Sequence, residues 1–362
     1  MEPVSARPSQ SASPDRSSIG WGIVGTGTIA RCFAEDLEYV AGAHLAGVSS
    51  RVLERAAQFV ARHGGAAHES HEALLGDEKV DAVYIASPNT SHFAIASAAI
   101  AAKKSVLVEK PLVATAEEAA RLRASAAEQN VFLMEGLWTR FLPAIGFVKN
   151  ALQSATIGEI RRVKGELAFR HPYAPDNRFF DPAQGGGSLL DLGIYLISLS
   201  QFFLGEPDAV QGEWYSAPSG VDMGARMELT FGRIPASLNC AFDYTGGNLF
   251  IIEGSRRTLF LQSPFIGARQ VLEAGPVMAR VIETLCRNSI LSRIFSKISR
   301  KIPVPGIRRH AFGFPGYGLQ FEIEAATRAI RDGKTEVSTA PLSESIQTLR
   351  IIEKIRTLPS GR

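Results

Sequence analysis

The sequence predicts an α/β protein in two parts: a doubly wound parallel sheet, then an α+β domain with a large, mainly antiparallel open sheet. Three observations predict it. The chain has 362 residues, more than one hydrophobic core usually organises. Its first third alternates short β-branched runs with helical patterns. From about Arg161 strand-like runs follow one another, joined by turns such as Thr245-Gly246-Gly247-Asn248.

Taken in order, residues 1–18 are Ser- and Pro-rich with no apolar run, and read as a disordered tail rather than a signal peptide. Strands are expected at 20–24, 44–49, 82–86, 105–108 and 131–134, with helices at 29–39, 52–63, 91–102 and 115–130 between them. This alternation gives a parallel sheet covered on both faces, and a nucleotide domain over 19–140. A second domain over 141–340 carries strands at 162–169, 209–215, 225–231, 236–242, 249–253 and 258–262. One helix, 187–203, interrupts them. An amphipathic helix within 341–362, with Ile346, Leu349, Ile352 and Ile355 three apart, is expected to pack back on the nucleotide domain.

Composition excludes several classes. Apolar residues make up 45% and charged residues 21%, as in ordinary globular proteins. A net charge of +3 leaves no general excess for nucleic acid. Cys32, Cys240 and Cys286 lie far apart, which fits a reducing, cytoplasmic setting and no zinc site. His68 and His71 lack a third ligand, so no metal is expected there. The apolar stretch 189–205 contains Asp191, Ser198, Ser200 and Gln201, and reads as a buried helix rather than a membrane span.

Gly25-Thr26-Gly27-Thr28-Ile29-Ala30 follows the first strand and opens the first helix. The first Gly permits the turn, the second admits a pyrophosphate close to backbone, and Ala30 lets helix and strand pack. Helix N–H groups complete the anion cradle. After the second strand, where an NAD-binding domain usually places an acid on the ribose, stand Ser49, Ser50 and Arg51, with Arg55 one turn later. Hydroxyls and guanidinium groups suit a 2′-phosphate, so the expected cofactor is NADP(H), with NAD the lesser alternative.

Three further motifs follow: Ser87-Pro88-Asn89-Thr90-Ser91-His92, Val108-Glu109-Lys110-Pro111, and Gly185-Gly186-Gly187-Ser188-Leu189-Leu190-Asp191-Leu192-Gly193-Ile194-Tyr195. Together with the glycine loop they make the chain resemble the Gfo/Idh/MocA oxidoreductases, the glucose–fructose oxidoreductase and inositol dehydrogenase family. The segment 132–141 and the Asp-Leu-Gly-Ile-Tyr ending are most similar to the dimeric dihydrodiol dehydrogenases, which also act as NADP-dependent D-xylose dehydrogenases. The resemblance implies a Rossmann domain, a sugar- or diol-like substrate, a homodimer formed through the C-terminal sheet, and Trp138 and Arg140 at the active-site mouth.

The residues carry that chemistry on their own terms. Oxidising a hydroxyl removes a proton from oxygen while a hydride leaves carbon. Lys110 stands just past a strand end, where the nicotinamide belongs, and an ammonium there would polarise the reacting oxygen. Asp191 and Tyr195 are four apart on one helix face. The Tyr195 phenol needs a neighbouring cation to act as base near neutrality. Asp191 could orient substrate or pair with Lys110. Ser87, Pro88, Asn89 and His92 should border the nicotinamide, His92 alternatively capping its helix, and Glu109 could reach the ribose. The expected enzyme is thus an NADP-dependent dehydrogenase or reductase acting on CH–OH groups. A non-catalytic cofactor sensor and an NAD-dependent glycosidase are the alternatives; Lys110 with Tyr195 argues against the first, the 2′-phosphate site against the second.

Residues 280–309 hold eight basic residues (Arg280, Arg287, Arg293, Lys297, Arg300, Lys301, Arg308, Arg309) against one acid, Glu283. The stretch reads as a basic amphipathic helix inserted into the second domain. A lid or subunit-contact helix with a solvated face is the preferred reading, contact with a membrane or other anionic partner the competing one. If it folds over an open sheet face, Leu291, Ile294 and Ile298 should point down.

Overall fold

Six short runs of the first third become parallel strands: β1 (Ile19–Val24), β2 (Ala43–Ser49), β3 (Ala66–His68), β4 (Ala82–Ile85), β5 (Ser105–Glu109) and β6 (Leu133–Gly136). The computed structural model describes residues 18–286, 290–291, 294–295, 297 and 304–360. The expected tail lies outside them, Ser18 apart. The strand order is β3-β2-β1-β4-β5-β6, every pair parallel. Helices α1 (Thr28–Leu37), α2 (Leu53–His63), α3 (His71–Leu75), α4 (His92–Ala101) and α5 (Ala116–Gln129) connect them. Strands β1, β4 and β5 are buried along nearly their whole length, hence their predominance of Val, Ile, Leu, Trp and Tyr. Strand order reverses beside β1, so the loops after β1 and β4 part and leave a crevice.

The second sheet has eight strands: β7 (Ile160–Ala168), β8 (Ala209–Ser216), β9 (Asp222–Phe231), β10 (Ile234–Ala241), β11 (Phe250–Gly254), β12 (Thr258–Leu261), β13 (Gln270–Ala274) and β14 (Ile307–Ala311). Their order is β14-β13-β12-β11-β7-β10-β9-β8. All pairs are antiparallel except β7 with β10, which run parallel from Val163–Ala236 to Ala168–Ala241. The sheet is therefore mixed, with the parallel pair at its centre. Helices α6 (Pro143–Gln153), α7 (Ile194–Leu204), α8 (Pro276–Cys286), α9 (Gln320–Arg331) and α10 (Leu342–Thr357) complete the chain.

The sheet face carrying Ala225, Met227, Leu229 and Phe231, which a homodimer through the C-terminal sheet could bury if it lay open, is already covered within the chain. These four side chains are at most 5% exposed and share a core with Leu189, Leu196 and Leu349 of the covering helices. Their neighbours Arg226 and Glu228 face outward instead. Part of that outer face is covered as well: Ala279, Ile282 and Cys286 of α8 pack on Leu249, Ile251 and Phe260.

The stretch Pro182–Leu204 is the one helical segment, among the described residues, long and apolar enough to cross a membrane, and most of it is buried inside the chain. A π-helical turn, Leu189–Gly193, leads directly into α7. Its start is tethered by Asp222, whose Oδ2 accepts from the Leu189 amide (2.5 Å) and from Ser188 Oγ (3.1 Å). Gly187 is required there: it has φ +120°, and a Cβ would sit 2.5 Å from Asp222 Oδ1. Arg356 of α10 donates to the same Asp222 Oδ1 through Nε (2.9 Å) and Nη2 (2.6 Å). Three residues earlier, Glu353 accepts from the Ala116 amide (2.8 Å) at the start of α5. One helix thus touches both sheets' helical layers.

Candidate active site

The glycine loop turns as its sequence requires. Gly25 has φ +111°, and a Cβ would lie 2.6 Å from the Ala86 carbonyl, whereas nothing lies within 4 Å of a Cβ on Gly27. Open space over Gly27 at a helix N-terminus is what a pyrophosphate needs. Beside it a cleft of about 510 Å³ runs between α1 and α2. Thr26, Gly27 and Thr28 form one wall; Arg31, Arg55 and Arg62 project into it. Arg55 was expected there. Arg31 and Arg62 were not, because single arginines on solvated helix faces carry no motif. Arg51 is exposed just before α2, outside the cleft lining. Ser49 Oγ lies 2.9 Å from His71 Nδ1, and Ser50 Oγ lies 3.5 Å from the Val52 amide it can accept from.

At the carboxyl end of β5, Lys110 reaches across to the helical segment of the second domain. Its Nζ donates to Asp191 Oδ1 (2.9 Å) and to the Asp191 carbonyl (2.8 Å). The π-turn widens the helix where Asp191 sits. The same ammonium stands 4.9 Å from the centre of the Tyr195 ring. Trp138 Nε1 donates to Tyr195 Oη at 3.1 Å. Lys110, Asp191, Tyr195 and Trp138 therefore converge, contributed by β5, the π-turn, α7 and the turn after β6. Asp191, left open between substrate and lysine by its spacing, pairs with the lysine.

Three expected contacts move elsewhere. His92 is fully buried, its ring nitrogens 2.8 Å from the Pro111 carbonyl and 2.9 Å from the Ser87 carbonyl. The ring faces a backbone carbonyl at each nitrogen and, when neutral, donates to one of them, so it braces the two loops from inside. Glu109 turns into the core, where it accepts from Tyr84 Oη and from the Lys110 amide (3.1 Å), so it does not point at a ribose. Arg140 is 3% exposed. Its guanidinium donates to Ser198 Oγ (2.8 Å), the Ser198 carbonyl (2.7 Å), the Thr339 carbonyl (3.2 Å) and Glu344 (2.5 Å). It clamps α7 to α10 and does not line the mouth. Asn89 spans from the nucleotide domain to Gly185, its Nδ2 3.5 Å from that carbonyl. Ser87 is half-buried and Pro88 exposed in the loop after β4.

Residues 19–137 match a family model described as "Oxidoreductase family, NAD-binding Rossmann fold", and residues 146–260 match the "GFO/IDH/MocA C-terminal domain" of the same family. The chain belongs to the Gfo/Idh/MocA oxidoreductase family. Among this family's curated members it is similar to human "trans-1,2-dihydrobenzene-1,2-diol dehydrogenase", 28% identical over 94% of this chain and 96% of that protein. It is also 28% identical to the "D-xylose 1-dehydrogenase (NADP(+))" of Hypocrea jecorina, over 95% of this chain and 92% of the other. Its fold matches KijD10, a 3-ketoreductase from Actinomadura kijaniata solved with NADP and TDP-benzene (TM-score 0.77, 24% identity, 94% and 97% of the chains). It equally matches a levoglucosan dehydrogenase solved with NADH and levoglucosan (TM-score 0.77, 20% identity, 94% and 96%).

Within this Gfo/Idh/MocA chain the electrostatics of the cluster are set by burial and by one ion pair. Burial opposes the Lys110 charge, but Asp191 and Tyr195 beside it reverse the balance, and its pKa rises above the ordinary lysine value. Burial likewise pushes Asp191 up, and Lys110 overrides it, so the carboxyl titrates below the usual range. Burial lifts Tyr195 to about 12, with Lys110 pulling the other way. Near neutrality the trio is an ammonium, a carboxylate and a phenol still holding its proton. Two further polar groups approach Asp191. Arg178 Nη2 is 4.0 Å from Asp191 Oδ1, and His171 acts on the carboxylate through space. Both lie in the loop after β7. No periodicity or spacing marks them in the sequence; only the polar–aromatic run Arg170-His171-Pro172-Tyr173 is a signal.

Proposed function

We propose that this chain is an NADP(H)-dependent oxidoreductase, moving a hydride between nicotinamide C4 and a hydroxyl-bearing carbon of a sugar, polyol or cyclic trans-diol. Tyr195 is the acid–base and Lys110 assists it. The observation that carries this reading is the buried Lys110 ammonium, held on Asp191 over the Tyr195 ring. The names of the human diol dehydrogenase and the fungal xylose dehydrogenase support the substrate class, and the latter the cofactor.

When bound, the nicotinamide cofactor supplies the hydride acceptor or donor. Gly25, Thr26, Gly27, Thr28 and Ile29 would hold its pyrophosphate, and Arg51 with Arg55 its 2′-phosphate. In the reducing direction Tyr195 Oη gives its proton to the substrate oxygen as that oxygen gains charge. Lys110 stabilises the phenolate left behind. In the oxidising direction the same oxygen takes the hydroxyl proton. Asp191 keeps Lys110 charged and fixed, so the cation need not reorganise.

Two measurements test this. Titration should show NADP⁺ binding more tightly than NAD⁺, and Arg55→Ala or Arg51→Ala should each narrow the gap by about 1–3 kcal/mol, the worth of a charge-assisted hydrogen bond. Equal wild-type affinities would remove the 2′-phosphate site. Turnover of aldoses, inositols and dihydrodiols, followed by NADPH absorbance, names the substrate. The phenol also sets a pH dependence. Its pKa is raised to about 12, so the base form grows about tenfold per pH unit below that value. Oxidation kcat/KM should therefore climb from pH 7 to 10 without levelling, while reduction, which uses the protonated phenol, stays flat. A plateau in the oxidation profile near pH 8 would place the base on another group.

A further inference from the structure

Helix α8 is two-sided. Ala279, Ile282 and Cys286 are buried on the second sheet, while Val277 (76% exposed) and Val281 (44%) face solvent. The helical residues Ile290 (66%), Leu291 (43%) and Ile294 (48%) are exposed as well. Leu291 and Ile294 thus do not point down onto the sheet; Ile298 lies outside the described residues. Ten large apolar side chains are exposed among the described residues, and these five all fall within 277–294. Exposed apolar groups gathered in one stretch of the chain, unlike scattered ones, point to a place of contact.

Among the described residues of 276–297 the exposed charges are cationic. Glu283, the lone acid of residues 280–309, is turned inward, ion-paired with Lys164 and 4.0 Å from Arg162 Nη2, both on β7. Arg280 and Lys297 remain on the exposed side among the apolar groups.

We propose that this face docks on an anionic lipid bilayer. Val277, Val281, Ile290, Leu291 and Ile294 enter the headgroup boundary, while Arg280 and Lys297 meet acidic headgroups. A second copy of the chain fits less well, because a two-fold contact would set the same cationic face against itself. The geometry also keeps the reaction accessible. Side chains alternate along β11, so α8 lies over Ile251 while Phe250 and Ile252 face the α7 side, where Tyr195 sits. Docking through α8 leaves that side free.

The test is flotation of the full chain with vesicles of phosphatidylcholine alone and of phosphatidylcholine mixed with phosphatidylglycerol. The protein should float with the acidic vesicles only and be released by salt. Arg280→Glu with Lys297→Glu should weaken partitioning by about five-fold or more per residue. Val277→Asp should weaken it even at low salt, with an unchanged circular dichroism spectrum; Ile294→Asp repeats the test at a second position. Failure to float, or equal flotation with neutral vesicles, would overturn the proposal. So would a wild-type mass of two chains that Val277→Asp reduces to one, which would give the face to a second copy.

Discussion

Tyr195→Phe should lower turnover by about 10²–10⁴-fold, the usual contribution of a positioned acid–base group, while leaving cofactor affinity unchanged. The substitution deletes one oxygen. The Lys110–Asp191 pair is made by other atoms, at 2.9 Å, and persists. The glycine loop and the arginine cleft are untouched. What is lost is the proposed proton donor and the acceptor of the Trp138 indole N–H, a partly buried group whose orphaning adds at most a modest stability cost. Steady-state kinetics with the substrate found by screening, beside a cofactor titration, separates the two effects. A Phe variant that keeps most of its kcat would move the proton transfer off Tyr195, with Asp191 the next group to test.

The second large effect concerns stability. Arg140 has 1% of its side chain exposed, against 30% for its partner Glu344. Burial pulls the guanidinium pKa down and Glu344 pulls it back up. Glu344→Ala would leave that charge inside the protein with Ser198, Thr339 and the more distant Glu135 to receive it, at a cost of about 3–5 kcal/mol. Replacing both partners, Arg140→Met with Glu344→Leu, removes the stranded charge and should cost less than the single change. Urea midpoints measure both. A single variant within about 1 kcal/mol of wild type would mean that Glu135, also close enough to act on Arg140, carries the balance.

The nucleotide domain was legible because its strands are buried on both faces and so read as unbroken apolar runs, and because the glycine loop is a backbone requirement. The Lys110–Asp191–Tyr195 cluster was legible for a related reason: a lysine at a strand end and a lone acid in an apolar helix both need partners. Strand β14 (Ile-Arg-Arg-His-Ala) was not, since a charged edge strand has neither alternation nor apolarity. Nor was the parallel pairing of β7 with β10, which depends on a crossover that no local pattern records. His92, Glu109 and Arg140 share another cause. Position along the chain put them near the site, yet side-chain direction turned each toward backbone or core. Burial of a polar group is settled by partners distant in sequence, as the separation of 204 positions from Arg140 to Glu344 shows.

The tether of the helical segment to Asp222 and Arg356 also bears on how the protein is made. Synthesis runs from the amino terminus, so the nucleotide domain is complete long before residue 356 exists. The π-turn with Asp191, and α7 with Tyr195, emerge midway, but the guanidinium that fixes Asp222 beneath them arrives only with residue 356. Until then the first sheet can assemble while the turn that carries Asp191 lacks its final fastening, and a chain cut before Arg356 would keep the glycine loop and lose that fastening.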